Sequence, residues 1–177
     1  MAIWVALFRG INVGGKNIVP MAELRSELEA VGLQSVRSYI QSGNVVFESK
    51  LKSANSLSKL ISDCVEENRG FRPAVLILNS NDLQKAIDSN PFQAAASEPG
   101  KLHCFFLSKA AKLDSASVEK AQAQSETCKL VGKVFYLHAP DGIGRSKLAA
   151  NAEKYLGVPV TARNFRTVLK IAELATG

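Results

Sequence analysis

Apolar positions along the chain change their spacing in a way that marks its elements. Residues 2–8 form an unbroken apolar run, the pattern of a buried strand. Glycine and asparagine break that run over residues 9–19. Pro20 suits the first turn of a helix. Met21, Leu24, Leu28 and Val31 then recur at helical spacing until Gly32 closes it. Strands over 35–40 and 45–48 flank the tight turn Gln41-Ser42-Gly43-Asn44. Leu57, Leu60, Ile61, Cys64 and Val65 make a helical stripe across 53–68. Residues 73–78 read as a strand, and Asn81 or Asp82 can cap a short helix carrying Leu83, Ala86 and Ile87.

Residues 90–100 have the composition of a linker, with Pro91, Pro99 and Gly100 among small residues. The order then restarts. A strand at 102–107 and a helix at 114–124 precede strands at 127–131 and 134–138, joined by Gly132-Lys133. A helix at 145–156, a short strand at 159–162 and a helix at 164–175 complete the chain. Each half therefore reads as strand, helix, strand, strand, helix, strand, followed by one more helix. The expectation is an α+β fold of two tandem ferredoxin-like βαββαβ units, each followed by an extra helix. Their bounds are 1–90 and 101–177, with a linker at 91–100. A single larger α+β sheet is the structural alternative.

That order also predicts where loops meet. A helix crosses between the first two strands of each half, so those strands run parallel. The loop at 9–17 should then share a sheet edge with the turn at 41–44. In the second half, the stretch from Asp141 to Lys147 should share an edge with Arg163-Asn164. Glycine, asparagine, serine and basic residues gather in these two clusters.

Composition narrows the class. The 177 residues are 46% hydrophobic and 21% charged, as in a soluble globular protein, and no apolar run approaches the ~18 residues of a membrane span. The N-terminus has neither the basic region nor the cleavage site of a secretory signal. Three unclustered cysteines, Cys64, Cys104 and Cys128, exclude a disulfide framework and fit a reducing, cytoplasmic setting. The net charge is +6, unevenly distributed. Residues 1–79 hold nine Lys/Arg and seven Asp/Glu, residues 80–128 five and six, and residues 129–177 eight and three. The last stretch therefore favours an anionic partner.

Four motifs are recognisable. They are Leu7-Phe8-Arg9-Gly10-Ile11-Asn12-Val13-Gly14-Gly15-Lys16-Asn17 with Val19 to Leu24, and Tyr39-Ile40-Gln41-Ser42-Gly43-Asn44-Val45-Val46-Phe47. Further on stand Pro140-Asp141-Gly142-Ile143-Gly144-Arg145-Ser146-Lys147-Leu148, and Thr161-Ala162-Arg163-Asn164 with Thr167. Together they resemble domain-of-unknown-function family 1697 over nearly the whole chain. The resemblance implies a small, mostly bacterial, cytoplasmic protein and assigns no activity. Its motifs fall on the two loop clusters already described.

The chemistry of those clusters points to anions. Gly10-x-x-x-x-Gly15-Lys16 follows a strand and matches most of a phosphate-cradling loop. Asn17 replaces the Mg²⁺-binding hydroxyl and Pro20 delays the helix, which leaves anion binding without hydrolysis, or a turn kept for backbone shape. Gly142, Gly144, Arg145, Ser146 and Lys147 open a helix whose N–H groups and cations suit an anion, with Arg163 and Asn164 approaching from the neighbouring strand. Ser146 or Asp141 acting only as a helix cap is the plainer alternative. The candidate ligand-binding residues are thus Arg9, Asn12, Gly14, Gly15, Lys16, Gln41, Ser42 and Asn44 in the first half, and those seven in the second.

His103 and Cys104 are neighbours on a strand and face opposite sides, so they cannot share a metal. No Ser-His-Asp or Cys-His arrangement follows from spacing. Neither a metal nor a cofactor is implied. The expected partner is a phosphorylated or anionic small molecule, with no membrane. An enzyme on such a molecule, a sequence-independent nucleic-acid binder and a protein-interaction module are the alternatives. The aromatic signature of an RRM is missing from residues 45–48. Trp4 and Phe8, on one face of the first strand, are expected to be buried.

Overall fold

In the computed structural model, which describes all 177 residues, the apolar run at the N-terminus becomes β1 (Ala2–Arg9), bonded on both sides. Antiparallel β3 (Asn44–Ser49) and β4 (Ala74–Asn79) flank it, and β2 (Gln34–Tyr39) pairs with the outer side of β3, giving the order β2-β3-β1-β4. A strand in that central position has no solvent-facing edge, which is why it tolerates no alternation. Trp4, Ala6 and Phe8 of one β1 face pack with Leu24 and Leu28 of α1 (Met21–Ala30) and with Leu57, Ile61 and Val65 of α2 (Ala54–Arg69). Both aromatics are buried, as expected. Val5 and Leu7, on the opposite face of β1, are also fully buried.

Local chemistry sets the helix ends. The Ser53 hydroxyl accepts the Ser56 N–H at 3.3 Å at the start of α2, and Gly70 ends it in a left-handed conformation. The cap of α3 (Ser80–Asp88) is Asn79, whose Oδ1 accepts the Asp82 N–H at 2.8 Å. It lies two residues before Asn81, because β4 runs into the helix without an intervening loop.

In the second unit, β5 (Leu102–Leu107) lies between β7 (Val134–His138) and β8 (Val160–Asn164), with β6 (Thr127–Val131) beyond β7. All pairs are again antiparallel, in the order β6-β7-β5-β8. Phe105, Leu107, Phe135 and Leu137 meet Val118 of α4 (Ser115–Ala121), Leu148 of α5 (Lys147–Ala150), and Ala152 and Leu156 of α6 (Ala152–Leu156). The Phe105 and Phe135 rings meet edge to face, 5.7 Å apart. The chain ends in α7 (Phe165–Thr176).

The fold is thus mixed α+β, with two four-stranded antiparallel sheets and helices. Two expected elements change. The helix read over 145–156 breaks into α5 and α6 at Asn151, whose φ of −121° leaves the helical region. The strand read over 159–162 extends to Asn164, because His103 and Cys104 pair with Asn164 and Arg163. A short 3-10 helix, Gln93–Ser97, occupies the stretch read as a linker. The chain divides into two compact units, Met1–Lys85 with Lys170–Gly177, and Ala86–Leu169. Residues 86–100 thus fall in the second unit and the last eight residues in the first.

Candidate functional site

The loop after β1 is a hairpin rather than a cradle that runs into a helix. The Lys16 N–H donates to the Val13 carbonyl at 3.1 Å, and Gly14 and Gly15 between them have φ of 59° and 71°. That is the geometry of a two-residue type I′ turn, open to glycine at little steric cost. The helix starts only at Met21, so Lys16 does not stand at its N-terminus.

Asn12 fastens this hairpin. Its Nδ2 donates to the Val19 carbonyl at 2.9 Å and to the Gln41 carbonyl at 2.8 Å, while its Oδ1 accepts the Val19 N–H at 2.7 Å. The predicted meeting of the 9–17 loop with the 41–44 turn is therefore made through one side chain. Asn17 Nδ2 adds a bond to the Gly10 carbonyl. Across the turn, Asn44 Nδ2 donates to the Tyr39 carbonyl and to the Ser42 hydroxyl, and Phe8 N–H reaches the Gly43 carbonyl. Asn12 and Asn44 are thus partly or fully buried braces, whereas Arg9, Gly14, Gly15, Lys16, Gln41 and Ser42 are exposed. Between them stand the apolar tips of Val13, Ile18 and Ile40, each at least half exposed.

The second cluster separates into two parts. Gly142, Gly144, Arg145 and Ser146 line a groove of about 570 Å³ that also takes in Ser125, Glu126 and Asp141. Ser146 is a helix cap, its hydroxyl accepting the Ala149 N–H at 3.1 Å, on a helix of only four residues. So short a helix adds little dipole to an anion site. Lys147 is exposed and does not line the groove. Asn164 caps α7 by accepting the Thr167 N–H at 2.9 Å. Arg163 pairs with Cys104, on the face opposite the one that Phe105 turns to α5 and α6. Burial pushes the Arg163 guanidinium down to about 10 and the Cys104 thiol up to about 12. Burial also lowers the His103 imidazole below its usual range.

The sequence reading takes Asp141 as a candidate helix cap and passes over the second carboxylate of the groove, Glu126. Glu126 is 5% exposed, and its Oε2 accepts the Ala123 N–H at 3.0 Å. Asp141 Oδ2 accepts the Ser125 hydroxyl at 2.6 Å, so Asp141 holds a loop rather than capping a helix. No spacing signal links residues 125 and 126 to 141, because the pairing of β6 with β7 brings them together. No group of three or more His, Cys, Asp or Glu is placed to hold a metal ion.

The sequence profile of the proteins of unknown function called DUF1697 matches residues 1–136, more than three quarters of the chain. The chain belongs to this family. Its hairpin motif and its β2–β3 turn motif both lie inside the match. The stretches at 140–148 and 161–167 lie beyond it, within the span of a second similarity. That similarity is to the conserved bacterial protein SP0830 from Streptococcus pneumoniae, at 31% identity and a TM-score of 0.69, covering 98% of both chains. No curated protein matches the chain. No helix is long and apolar enough to cross a membrane.

Within this DUF1697 protein, the matched motif residues serve two ends. Asn12, Asn17, Gly43 and Asn44 fix the backbone of the loop and turn. Lys16 and Gln41 extend side chains that make no bond within the protein. Sequence reading treated all of these as one polar cluster, since composition does not separate a brace from a contact.

Proposed function

We propose that the chain binds a phosphate-bearing or otherwise anionic small molecule at the hairpin and turn of its first unit, in the cytoplasm of a bacterium. The observation that carries this is the Asn12 clamp, which holds the exposed Lys16 hairpin against the Gln41-Ser42 turn. A surface held in place before binding loses less entropy when it binds. Residues 9–20 and 39–44 include Arg9 and Lys16 and no acidic residue, so the field there attracts anions. The second cluster, with Glu126 and Asp141 beside Arg145, favours an anion less. Three free cysteines and a bacterial neighbour support the setting. The strand orders, each with the unit's first strand between its third and fourth, support reading both units as ferredoxin-like repeats.

Amide chemical shifts on titration with inorganic phosphate, pyrophosphate and a nucleotide test the reading. Shifts should gather at Gly14, Gly15, Lys16, Gln41 and Ser42, and Lys16→Ala should weaken binding about tenfold, as for one charge-assisted contact. Shifts that scatter over the surface, or a Lys16→Ala variant that binds as the native chain does, would overturn it. The protein-interaction alternative is favoured by one observation, the exposed Val13, Ile18 and Ile40 at the same tip. It predicts that Ile18→Ser and Ile40→Ser change binding to a protein and leave phosphate titrations unchanged.

A further inference from the structure

The groove of the second unit has a charge arrangement that the phosphate reading does not use. Glu126 is 95% buried by its neighbours and yet lines the groove. One of its oxygens, Oε2, accepts the Ala123 N–H, and its main-chain carbonyl accepts the Gln122 side-chain amide. The other oxygen, Oε1, has no partner in the protein and is not sealed off from solvent. It is the atom left for whatever enters the groove. Asp141 is exposed; Ser125 donates to its Oδ2, and no group of the protein bonds its Oδ1. The Arg145 guanidinium, on the same lining, forms no ion pair, although Asp141 lies only four residues away.

A carboxylate withdrawn from water and short of hydrogen bonds is costly, and a cation that donates to it recovers that cost. Glu126 is in that position, and exposed Asp141 adds a second negative charge to a lining that holds one guanidinium. An inorganic anion would meet Arg145 and be repelled by the other two. A bare amine would leave Arg145 unanswered. A small molecule carrying both an ammonium and a carboxylate answers all three. The groove, at about 570 Å³, falls within the range of small-molecule sites. Ala123 and Ala139 on its walls leave room for an apolar side chain.

We propose that this groove binds a small zwitterion of the amino-acid class, its ammonium against Glu126 and Asp141 and its carboxylate on Arg145. This site is independent of the anion site in the first unit. Glu126 comes to the groove from the α4–β6 loop and Asp141 from the β7–α5 loop, the two loops joined by the Ser125–Asp141 hydrogen bond. Gly142 and Gly144 carry no side chain that would fill the space between.

Isothermal titration of the full chain with the free amino acids is the test. Leucine is accompanied by its amine alone, 3-methylbutylamine, by its carboxylate alone, 4-methylpentanoate, and by inorganic phosphate. At least one amino acid should bind, and loss of either charged group should weaken binding about tenfold. Glu126→Gln keeps an acceptor for the Ala123 N–H and removes the charge, so it should weaken the zwitterion about tenfold with an unchanged melting temperature. Arg145→Ala, at an exposed position, should weaken the zwitterion and leave the amine unchanged. If Glu126→Gln does not fold, Arg145→Ala and Asp141→Asn carry the test. Absence of binding by every amino acid overturns the proposal, as does native affinity in the folded variants. Phosphate binding that is kept in Lys16→Ala and lost in Arg145→Ala would place a simple anion in this groove and overturn the zwitterion reading.

Discussion

Replacing Asn12 tests how much the hairpin depends on one side chain. Asn12→Ala deletes three hydrogen bonds, two to Val19 and one to Gln41. Val19 is fully buried, so its N–H and carbonyl cannot turn to water in compensation. Three net bonds at about 1 kcal/mol each put the loss at about 3 kcal/mol, and the orphaned buried groups of Val19 keep it from being smaller. Asn12 also has a φ of 54°, a region that asparagine tolerates and alanine resists at roughly 1 kcal/mol or more. Asn12→Ala should therefore cost about 4 kcal/mol and Asn12→Gly about 3, the glycine keeping the bond loss without the backbone strain. Trp4 is the only tryptophan and is buried in the first unit's core, so its fluorescence during urea unfolding reports that unit. Two variants within about 0.5 kcal/mol of the native chain would refute the clamp. An alanine variant more stable than the glycine variant would refute the backbone part of the argument.

Two further predictions follow the same logic. A Cβ on Gly43 would lie 2.6 Å from Phe8 Cβ and 2.7 Å from Ile11 Cδ1, at a φ of 82°. Gly43→Ala should then cost about 3 kcal/mol or more by overpacking and strain together, read by the same fluorescence, and a neutral result would show that β1 and the turn can separate freely. His103 is buried and its imidazole titrates below the usual 6.5, so the unfolded chain takes up a proton before the folded one does. Its contribution to stability is intact above 6.5 and is lost as pH falls from there toward the folded-state value. His103→Gln should flatten that acid limb, measured by hydrogen exchange at the β5 amides, and an identical pH dependence in the variant would contradict the assignment.

The pattern of the sequence matches the strands of the second unit most closely. The bounds of β5, β6 and β7 match the expected runs residue for residue: burial shapes both run and pairing in β5 and β7, and the Gly132-Lys133 turn sets where the edge strand β6 passes into β7. Boundaries slipped where tertiary pairing overrides composition. Arg163 and Asn164 look like loop residues, yet β5 recruits them into β8. The helix at 145–156 keeps its apolar face across the break at Asn151, so periodicity alone could not reveal the interruption. The meeting of the first loop with the β2–β3 turn followed from topology. Its agent, Asn12, did not, since nothing local distinguishes an asparagine that bridges 29 residues from one that faces solvent.

The same distinction bears on where function resides. A loop kept only for shape needs residues that hold backbone groups, and Asn12, Asn17, Gly43 and Asn44 do that. Shape does not explain Ile40. It is a β-branched residue with a φ of 50°, and half of its surface is exposed. That conformation costs roughly 1–2 kcal/mol, and so exposed a side chain recovers little of it through burial. Beside it, Lys16 and Gln41 project side chains without partners, and Val13 and Ile18 expose apolar surface. Glycine or asparagine at position 40 would adopt the same backbone more cheaply. If the tip served stability alone, Ile40→Asn would strengthen the first unit and change nothing else. A variant that gains stability in urea while losing phosphate affinity, or losing a protein partner, would instead tie the strain at this tip to binding.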